Sequence, residues 1–306
     1  MEAGGAFKPV AGAIELQTVK GLPPEFAPDV LRRRYADLAD FDDAALHAHY
    51  AEHGRAEGRI ASEAALREDF LKLIDPNAKL LEIGPYCTPL FTGSDVRYLD
   101  VFDAETLRAR ALSGGLDPAN CPETIHYTSG LAECSGEGFD VVFSSHAIEH
   151  QPDLVRHLQE VAAALKPGGA YWMIVPDKRF CFDHHLAETT VSNVMDAYLE
   201  RRTRHTAKAV IDHIVLQDHN DPVSHWEGRH GDVYQGALDR LKHAIAHFEE
   251  AQGGYIDVHA WQLTPQRFRE ILETLGELGL TPFNRISVYD TPRGNFEFMA
   301  VLARDD

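Results

Sequence analysis

Two acidic residues stand at the ends of predicted strands, and a single glycine follows the first. Glu82 lies in the apolar run 79–83, Gly84 comes directly after that run, and Asp100 lies near the end of the run 95–101. In an open α/β sheet, ligands bind outside the carboxyl ends of the strands, and an acid at this spacing can accept both hydroxyls of a ribose. With only Gly84 present, a dinucleotide fingerprint is not met. The pattern indicates a candidate nucleoside site, and solvated strand ends are the alternative.

A second group of chemically capable residues follows the predicted strand 139–143. The run 146–150 reads HAIEH and matches the H-x-x-E-H pattern of inverted zinc proteases. On one face of a helix, the two histidines could hold a metal while Glu149 acts as the base. Such a short pattern arises easily by chance among 17 histidines. We therefore expect structural use of Glu149 and His150, assign no metal ligands, and keep a zinc hydrolase as a minor alternative.

Candidate general bases lie where strands end and loops begin. Asp177 comes immediately after the predicted strand 170–175 and Pro176, and the run 183–185 (DHH) follows. A carboxylate, or a histidine with a pKa near neutrality, can take a proton from a reacting hydroxyl. Each histidine could equally be a solvated loop residue, and the polar run 218–230 could bind a metal or a substrate or be a surface loop. The predicted catalytic residues are His146, His150, Asp177 and His184.

The elements that must position these residues alternate between strands and helices, which predicts a doubly wound α/β sheet. The predicted strands are 79–83, 95–101, 124–127, 139–143, 170–175, 284–289 and 296–302. Amphipathic helices are predicted at 62–74, 104–112, 153–165 and 264–278. The gap between the first two strands is too short for a full helix.

Two parts of the chain depart from this alternation. Residues 1–60 are predicted to form a helical N-terminal extension, and 61–306 the main domain. Within the main domain, 178–254 interrupts the rhythm, holds many of the histidines and contains helical patterns at 189–203 and 234–252. We interpret 178–254 as a lid or substrate insertion over the sheet.

The composition excludes several classes of partner. The 306 residues include 29 Lys and Arg against 48 Asp and Glu, a formal net charge of −19. Without a basic cluster, binding to nucleic acid or to an anionic membrane is not expected. No segment is apolar enough to span a bilayer and the first residues do not form a secretion signal, so we expect a cytoplasmic location. The four scattered cysteines are expected to be reduced thiols.

Several motifs together resemble one enzyme family. LLEIGP at 80–85, YLDVFD at 98–103, and the stretch 139–177 with its EH pair and LKPGG turn are similar to class I S-adenosylmethionine-dependent methyltransferases. The resemblance is to methyltransferase type 11-like proteins. The short EIGP…PL…YLD form looks like a group associated with bacterial polysaccharide assembly. It implies a Rossmann-like, doubly wound, mostly parallel seven-stranded sheet whose last strand is antiparallel.

The resemblance also implies roles for individual residues. Glu82 would order the methionine end of S-adenosylmethionine, Asp100 would hold the ribose, and Val101 and Leu131 would contact the adenine. The remaining implied cofactor residues, in the first loop and after the fourth strand, are Gly84, Pro85, Tyr86, Ser144 and Ser145.

The function implied is methyl transfer to a hydroxyl of a sugar or cell-surface glycan, in polysaccharide biosynthesis. The run 50–59 favours this acceptor, because it resembles a helical module found beside bacterial glycosyltransferase domains. One alternative is a small-molecule methyltransferase for a phenol, quinone or amine, and another is a catalytically silent binding module on the same fold. Some quinone-pathway O-methyltransferases hold a divalent ion with an E-x-x-E-H motif, which Glu149 and His150 match in part. A divalent metal therefore stays open, as does the oligomeric state.

Overall fold

A six-stranded sheet forms the centre of the molecule in the computed structural model, which describes residues 18–304. The strand order is β2-β1-β3-β4-β6-β5, and β6 runs antiparallel to both of its neighbours. The predicted Rossmann-like, mostly parallel α/β sheet with an antiparallel last strand is confirmed in this form. The first part of the predicted N-terminal extension, residues 1–17, lies outside the described residues. The strands are β1 (Leu80–Ile83), β2 (Val96–Leu99), β3 (Phe139–Ser145), β4 (Leu165–Pro176), β5 (Arg285–Tyr289) and β6 (Glu297–Ala303).

The prediction of a seventh strand at 124–127 is wrong for the described chain. This segment makes a single parallel bridge, between Tyr127 and Leu99. The carbonyl of Tyr98 accepts from the amides of both His126 and Tyr127, and the amide of Tyr98 donates to the His126 ring. Because these groups are used around one residue of β2, no ladder extends along that strand.

Ten α-helices surround the sheet in the described chain. The prediction that no full helix separates β1 from β2 is confirmed. Helix α5 begins where the Asp153 side chain accepts from the amide of Arg156, and α10 where Thr264 accepts from Arg267. The helices are α1 (Pro28–Arg34), α2 (Asp43–His49), α3 (Arg67–Lys72), α4 (Ala104–Ser113), α5 (Leu154–Ala164), α6 (Val191–Glu200), α7 (Ala207–Val215), α8 (Pro222–Trp226), α9 (Ala237–Glu250) and α10 (Pro265–Glu277).

Helices cover both faces of the sheet, as a doubly wound fold requires. Residues of α5, α6 and α10 pack with one face of the strands in a continuous apolar core, and Phe70 of α3 packs with the other face. The N-terminal helices have a small core of their own around Leu31, Leu38 and Leu46. They are tied to the end of β5 because Tyr50 Oη donates to Asp290 over 2.8 Å. Because helices pack against both faces of the sheet, the carboxyl ends of its strands are the accessible place for a ligand site.

The interval 178–254 is helical, containing α6 to α9. Of these helices, α6 and α9 match predicted patterns, whereas α7 and the five-residue α8 were not predicted. Val210 of α7 packs with Ile256 and Val258, beyond the end of the interval. These contacts attach α7 to the segment that returns the chain to the sheet.

The prediction that all cysteines are reduced thiols is wrong for one pair. Cys87, in the loop after β1, forms a disulfide with Cys121, which follows α4. The pair packs against Leu107 and Ala111 of that helix. The 34-residue separation in sequence gave no sign of the pairing. Cys134 and Cys181 are free and buried.

Within residues 18–304, no helix combines the length and the apolar character needed to cross a membrane.

Candidate functional site

A cleft of about 520 Å³ opens at the carboxyl ends of β1, β2 and β3. This is the point where the chain order reverses across the sheet, with β2 on one side of β1 and β3 on the other. Several predicted residues converge here from separate loops. The predicted residues that line the cleft are Gly84, Tyr86, Asp100, Val101, Leu131, His146 and His150.

Asp100 lies at the floor of this cleft, just beyond β2. Its carboxylate accepts from the amides of Tyr86 and Phe102, each over 3.3 Å. Burial raises the pKa of Asp100, while these two amides and Arg110 act in the opposite direction. A buried carboxylate with remaining acceptor capacity is suited to bind two neighbouring hydroxyls.

The loop after β1 turns sharply beside Asp100. Gly84 has a φ of +68° and Tyr86 a φ of +44°, both in the left-handed region. A Cβ atom at position 84 would lie 3.6 Å from the Cβ of Ala147, so the strain of its φ, rather than space, favours glycine there. The turn brings backbone atoms to the cleft surface, where a ligand can approach them.

Twelve further residues line the cleft that were not assigned from the sequence. The Arg110 guanidinium lies 4.5 Å from the ring centre of Phe102, and the Tyr255 ring meets Phe102 edge-on at 6.1 Å. Tyr255 Oη donates to Asp257 Oδ1 over 3.0 Å. Phe102 and Gly130 adjoin predicted residues and could have been found from them, whereas nothing local in the sequence connects Tyr255 and Asp257 with the strand ends. The unassigned residues are Ile83, Leu99, Phe102, Leu107, Arg110, Gly130, Ala147, Gln151, His157, Glu160, Tyr255 and Asp257.

Four residues predicted to bind the cofactor lie outside this lining. Both carboxylate oxygens of Glu82 accept backbone amides, from Leu90 over 2.9 Å and Phe91 over 3.2 Å. Burial raises the pKa of Glu82 to about 7. Glu82 therefore holds the loop between β1 and β2. The other three predicted residues absent from the lining are Pro85, Ser144 and Ser145.

Ser144 and Ser145, at the end of β3, point into two different networks. Ser144 Oγ and Tyr171 Oη are 2.8 Å apart, and the Tyr171 hydroxyl also lies 2.9 Å from His157 Nε2. Burial lowers the pKa of His157 to about 3. Ser145 Oγ instead accepts from Arg67 Nη2 over 3.1 Å.

His146 is held by a carboxylate at the edge of the cleft. Its Nε2 lies 2.7 Å from Glu297 Oε2, and Arg67 donates to both oxygens of Glu297 over 2.8 and 3.1 Å. Burial would raise the pKa of Glu297, but His146 and Arg67 lower it overall. His146 has a φ of +52°. This arrangement fixes the orientation of the His146 ring and leaves its Nδ1 on the side of Glu149.

The HAIEH run does not lie on an α-helix, so the helix face that the zinc-hydrolase alternative required is absent. A 3₁₀ turn occupies Ile148–His150, and α5 begins only at Leu154. The backbone amide of His146 is taken by Ile174 of β4. Glu149 Oε1 nevertheless lies 3.8 Å from a nitrogen of each of His146, His150 and His259.

Two predicted catalytic residues lie away from the cleft. Asp177 is fully buried and accepts hydrogen bonds from Arg179 and from the hydroxyl of Thr291, over 2.6 to 3.2 Å. His184 Nδ1 pairs with the carbonyl of Arg179, and the His184 ring stacks on His230 at 3.7 Å. The structure therefore brings His146 and His150 together but leaves Asp177 and His184 outside.

A second cleft of about 290 Å³ adjoins the first and shares Val101, His150, Gln151 and Tyr255 with it. Its remaining walls come mostly from the interval 178–254 and from the segment that follows. The residues that complete this lining are Pro152, Thr203, Arg204, His205, Phe248, Gly253, Gly254 and Ile256.

Comparison with known proteins gives one family match. Residues 84–173 match the methyltransferase domain family, over the part of the chain that holds the first cleft. No curated protein matches the chain.

Solved structures that are similar to this chain include the following three proteins. A possible exported protein from Bordetella parapertussis has 15% identity and a TM-score of 0.38, over 87% of this chain and 71% of that one. The trans-methyltransferase CalH, in complex with SAH, has 14% identity and a TM-score of 0.37, over 91% and 64%. A putative S-adenosylmethionine dependent methyltransferase from Listeria monocytogenes has 14% identity and a TM-score of 0.39, over 80% and 98%. This chain thus spans less than two thirds of CalH.

Proposed function

We propose that this chain, which is an S-adenosylmethionine-dependent methyltransferase, methylates a hydroxyl of a sugar or of a cell-surface glycan. The observation that carries the proposal is the pair of adjoining clefts. One has Asp100 and an apolar side, and the other has a mixed polar and aromatic lining. Two substrates can meet where the clefts share His150 and Tyr255.

The first cleft suits the cofactor. Asp100 binds the ribose hydroxyls, Val101 and Leu131 supply apolar contact for the adenine, and the turn at Gly84 and Tyr86 accommodates the methionine end. All five residues lie in the lining. When bound, the cofactor supplies a methyl group already activated by its sulfonium, so the protein must chiefly align the acceptor and remove its proton.

The second cleft favours a hydroxylated acceptor over an apolar one. Arg204, Thr203 and His205 offer hydrogen bonds, while the half-exposed Tyr255 offers an aromatic face for the apolar side of a sugar ring. A phenol or quinone would leave these polar groups without partners, which lowers affinity. The net charge of −19 also disfavours a strongly anionic acceptor.

His146 is the proposed general base. With Nε2–H donated to Glu297, Nδ1 is free to accept a proton. The acceptor oxygen forms a bond to the methyl carbon as the sulfur–carbon bond breaks, and the hydroxyl proton passes to His146 Nδ1. Arg67 and Glu297 position His146 and do not touch the reacting atoms.

The interval 178–254 acts in this proposal as a substrate insertion in the main domain 61–306. It supplies Thr203, Arg204, His205 and Phe248 to the second cleft and contributes no lining residue to the first. Its removal or alteration therefore changes acceptor choice more than cofactor affinity.

Calorimetry with S-adenosylmethionine tests the cofactor assignment. Asp100→Asn removes a charged acceptor, and since hydrogen bonds to charged groups contribute about 1.5–3 kcal/mol, affinity should fall by about 10- to 100-fold. Asp117→Asn is the matched control, because Asp117 caps an exposed 3₁₀ turn away from the cleft and should leave affinity unchanged. Equal affinities in the wild type and Asp100→Asn would refute the ribose assignment.

Methyl transfer to a panel of acceptors tests the rest. Radiolabelled cofactor is offered with neutral sugars, amino sugars, phenols and quinols, and the labelled product is identified by mass spectrometry. We expect O-methylation of a neutral sugar. Transfer to a phenol, quinol or amine instead would replace the proposed acceptor while leaving the cofactor assignment intact.

A further inference from the structure

We infer that Glu149, His150 and His259 form a binding site for a divalent transition metal, with zinc as the reference ion, at the inner edge of the two clefts. Ion binding at these residues does not depend on the proposed function. The role of the ion in catalysis does rest on that function.

The central observation is the Glu149 side chain. It is 0% exposed, and neither of its carboxylate oxygens has a hydrogen-bond partner among residues 18–304. A buried carboxylate without a partner is costly, and such groups in proteins are paired or coordinate metals. Among residues 18–304, this carboxylate therefore lacks the hydrogen-bond partner that its burial calls for.

Histidine nitrogens surround the carboxylate at a distance that calls for an intervening atom. Glu149 Oε1 lies 3.8 Å from His150 Nε2 and 3.8 Å from His259 Nε2. These separations exceed the usual 2.7–3.2 Å of a hydrogen bond. The three ligand atoms lie within 4.8 Å of one another, a spacing at which one ion can contact all of them.

The outer nitrogens of both histidines face carboxylates. His259 Nδ1 pairs with Asp183 Oδ2 at 2.6 Å, and His150 Nδ1 lies 3.1 Å from Asp257 Oδ1. For His259, this hydrogen bond fixes the tautomer so that Nε2 presents its lone pair, the common arrangement behind histidine ligands. Two histidines thus converge on one glutamate, each with a second carboxylate beside its other ring nitrogen.

Backbone contacts hold the three ligands in place although they come from distant parts of the chain. The amides of Ala260 and Trp261 donate to the carbonyl of Glu149, over 2.7 and 3.2 Å. The indole Nε1 of Trp261 donates to the carbonyl of Gln151. These bonds join the segment carrying His259 to the 3₁₀ turn carrying Glu149 and His150, so the site is positioned before an ion arrives.

The ligand chemistry favours a first-row transition metal over magnesium. Imidazole suits zinc, copper, iron and nickel, whereas magnesium prefers oxygen ligands alone. Two histidines and one glutamate are the protein ligands of several catalytic zinc sites, which keep one further position open. Because His150 lines both clefts, an acceptor hydroxyl can reach that position. The ion would lower the pKa of the hydroxyl, and His146 Nδ1, also 3.8 Å from Glu149 Oε1, would take the proton.

A separate histidine cluster, formed by His184, His225 and His230 on the insertion side, provides a control. His225 Nδ1 and His230 Nδ1 lie 3.0 Å apart, within hydrogen-bond distance of each other. The surroundings of this cluster contain no counterpart to the unpartnered Glu149 among the described residues. His225→Ala therefore tests whether any observed ion belongs to the second cluster instead.

The experiment measures ion binding by the full chain after removal of metals with a chelator. Zn²⁺ binding is followed by calorimetry, and Co²⁺ is followed by its visible absorption bands, which report the ligand set. We expect the wild type to bind the ion, Glu149→Gln and His259→Ala to lose affinity by at least about tenfold, and His225→Ala to retain the Co²⁺ spectrum. Unchanged binding in both Glu149→Gln and His259→Ala, or loss only in His225→Ala, would overturn the inference.

Folding controls keep the outcome interpretable. Glu149→Gln preserves size and removes the buried charge, so the metal-free variant should melt at the same temperature as the metal-free wild type or higher. It should also bind S-adenosylmethionine as the wild type does. If zinc binds through Glu149 but no sugar is methylated, the proposed acceptor is refuted and the metal site stands. If sugar is methylated equally by metal-free and zinc-loaded protein, the ion has no part in the reaction.

Discussion

Replacing Glu82 with glutamine should make the stability of the protein respond differently to pH. Burial raises the pKa of Glu82 from 4.5 to about 7 in the folded protein, in spite of the two backbone amides that it accepts. Below about pH 4.5 the side chain is protonated in both the folded and the unfolded chain. As the pH rises toward 7 the unfolded chain loses this proton first, so the wild type loses stability over that interval.

The magnitude follows from the difference in pKa. Each pKa unit corresponds to about 1.4 kcal/mol, so a rise from 4.5 to about 7 corresponds to about 3 kcal/mol. The free energy of unfolding of the wild type, relative to that of Glu82→Gln, should fall by about this amount between pH 4.5 and pH 8. Other titrating groups are shared by the two proteins and cancel in the comparison.

Urea denaturation at half-unit steps of pH provides the measurement. Glu105→Gln is the control, since Glu105 is an exposed carboxylate in the first turn of α4. The difference in unfolding free energy between this variant and the wild type should be nearly independent of pH. The reasoning is refuted if the difference in unfolding free energy between the wild type and Glu82→Gln does not change with pH. It is also refuted if that difference shifts in favour of the wild type as the pH rises.

The same variant separates two roles for Glu82. If the side chain only anchors the loop through Leu90 and Phe91, affinity for S-adenosylmethionine should stay within about threefold of the wild type, less than 1 kcal/mol. If Glu82 orders the methionine end of the cofactor, as the family resemblance implies, affinity should fall by at least about tenfold.

Two further predictions concern the networks behind the cleft. Glu297→Gln should lower kcat by about 10- to 100-fold with S-adenosylmethionine affinity unchanged, because it loosens His146, the proposed base; an unaltered kcat in steady-state assays would remove Glu297 from the mechanism. Tyr171→Phe should cost about 2 kcal/mol of stability, since it leaves the buried Ser144 hydroxyl and His157 Nε2 without their partner; a loss below about 0.5 kcal/mol in chemical denaturation would contradict that account.

The sequence was sufficient for those parts of the fold and site that depend on local pattern. Strand β1, helix α5 and helix α10 follow from apolar periodicity with clear caps, and Asp100 follows from its place at a strand end. The cleft position then follows from topology alone, because parallel strands place their carboxyl ends at one edge. No knowledge of distant contacts is needed for any of these.

Other features depend on which groups meet in space, and a linear pattern does not contain that. Asp177 has the position of a catalytic base, but Arg179 and Thr291 occupy its oxygens. The seventh strand failed because the His126 ring takes the amide of Tyr98. In both cases a side chain satisfies a group that the pattern assumed to be free.

The HAIEH run shows how a motif can carry the right residues with the wrong geometry. A helical interpretation of this run makes His146 and His150 a pair of ligands on one helix face. The positive φ of His146 and the 3₁₀ turn after it instead direct the two side chains to different partners. His146 turns to Glu297 at the cleft edge, and His150 faces Glu149 together with His259, more than a hundred residues later in the chain. The segment that carries His259 also carries Tyr255 and Asp257, and it begins where the insertion 178–254 ends. In the proposed function the strand ends hold the cofactor. The segment that follows 178–254 then completes the place where an acceptor and an ion would meet.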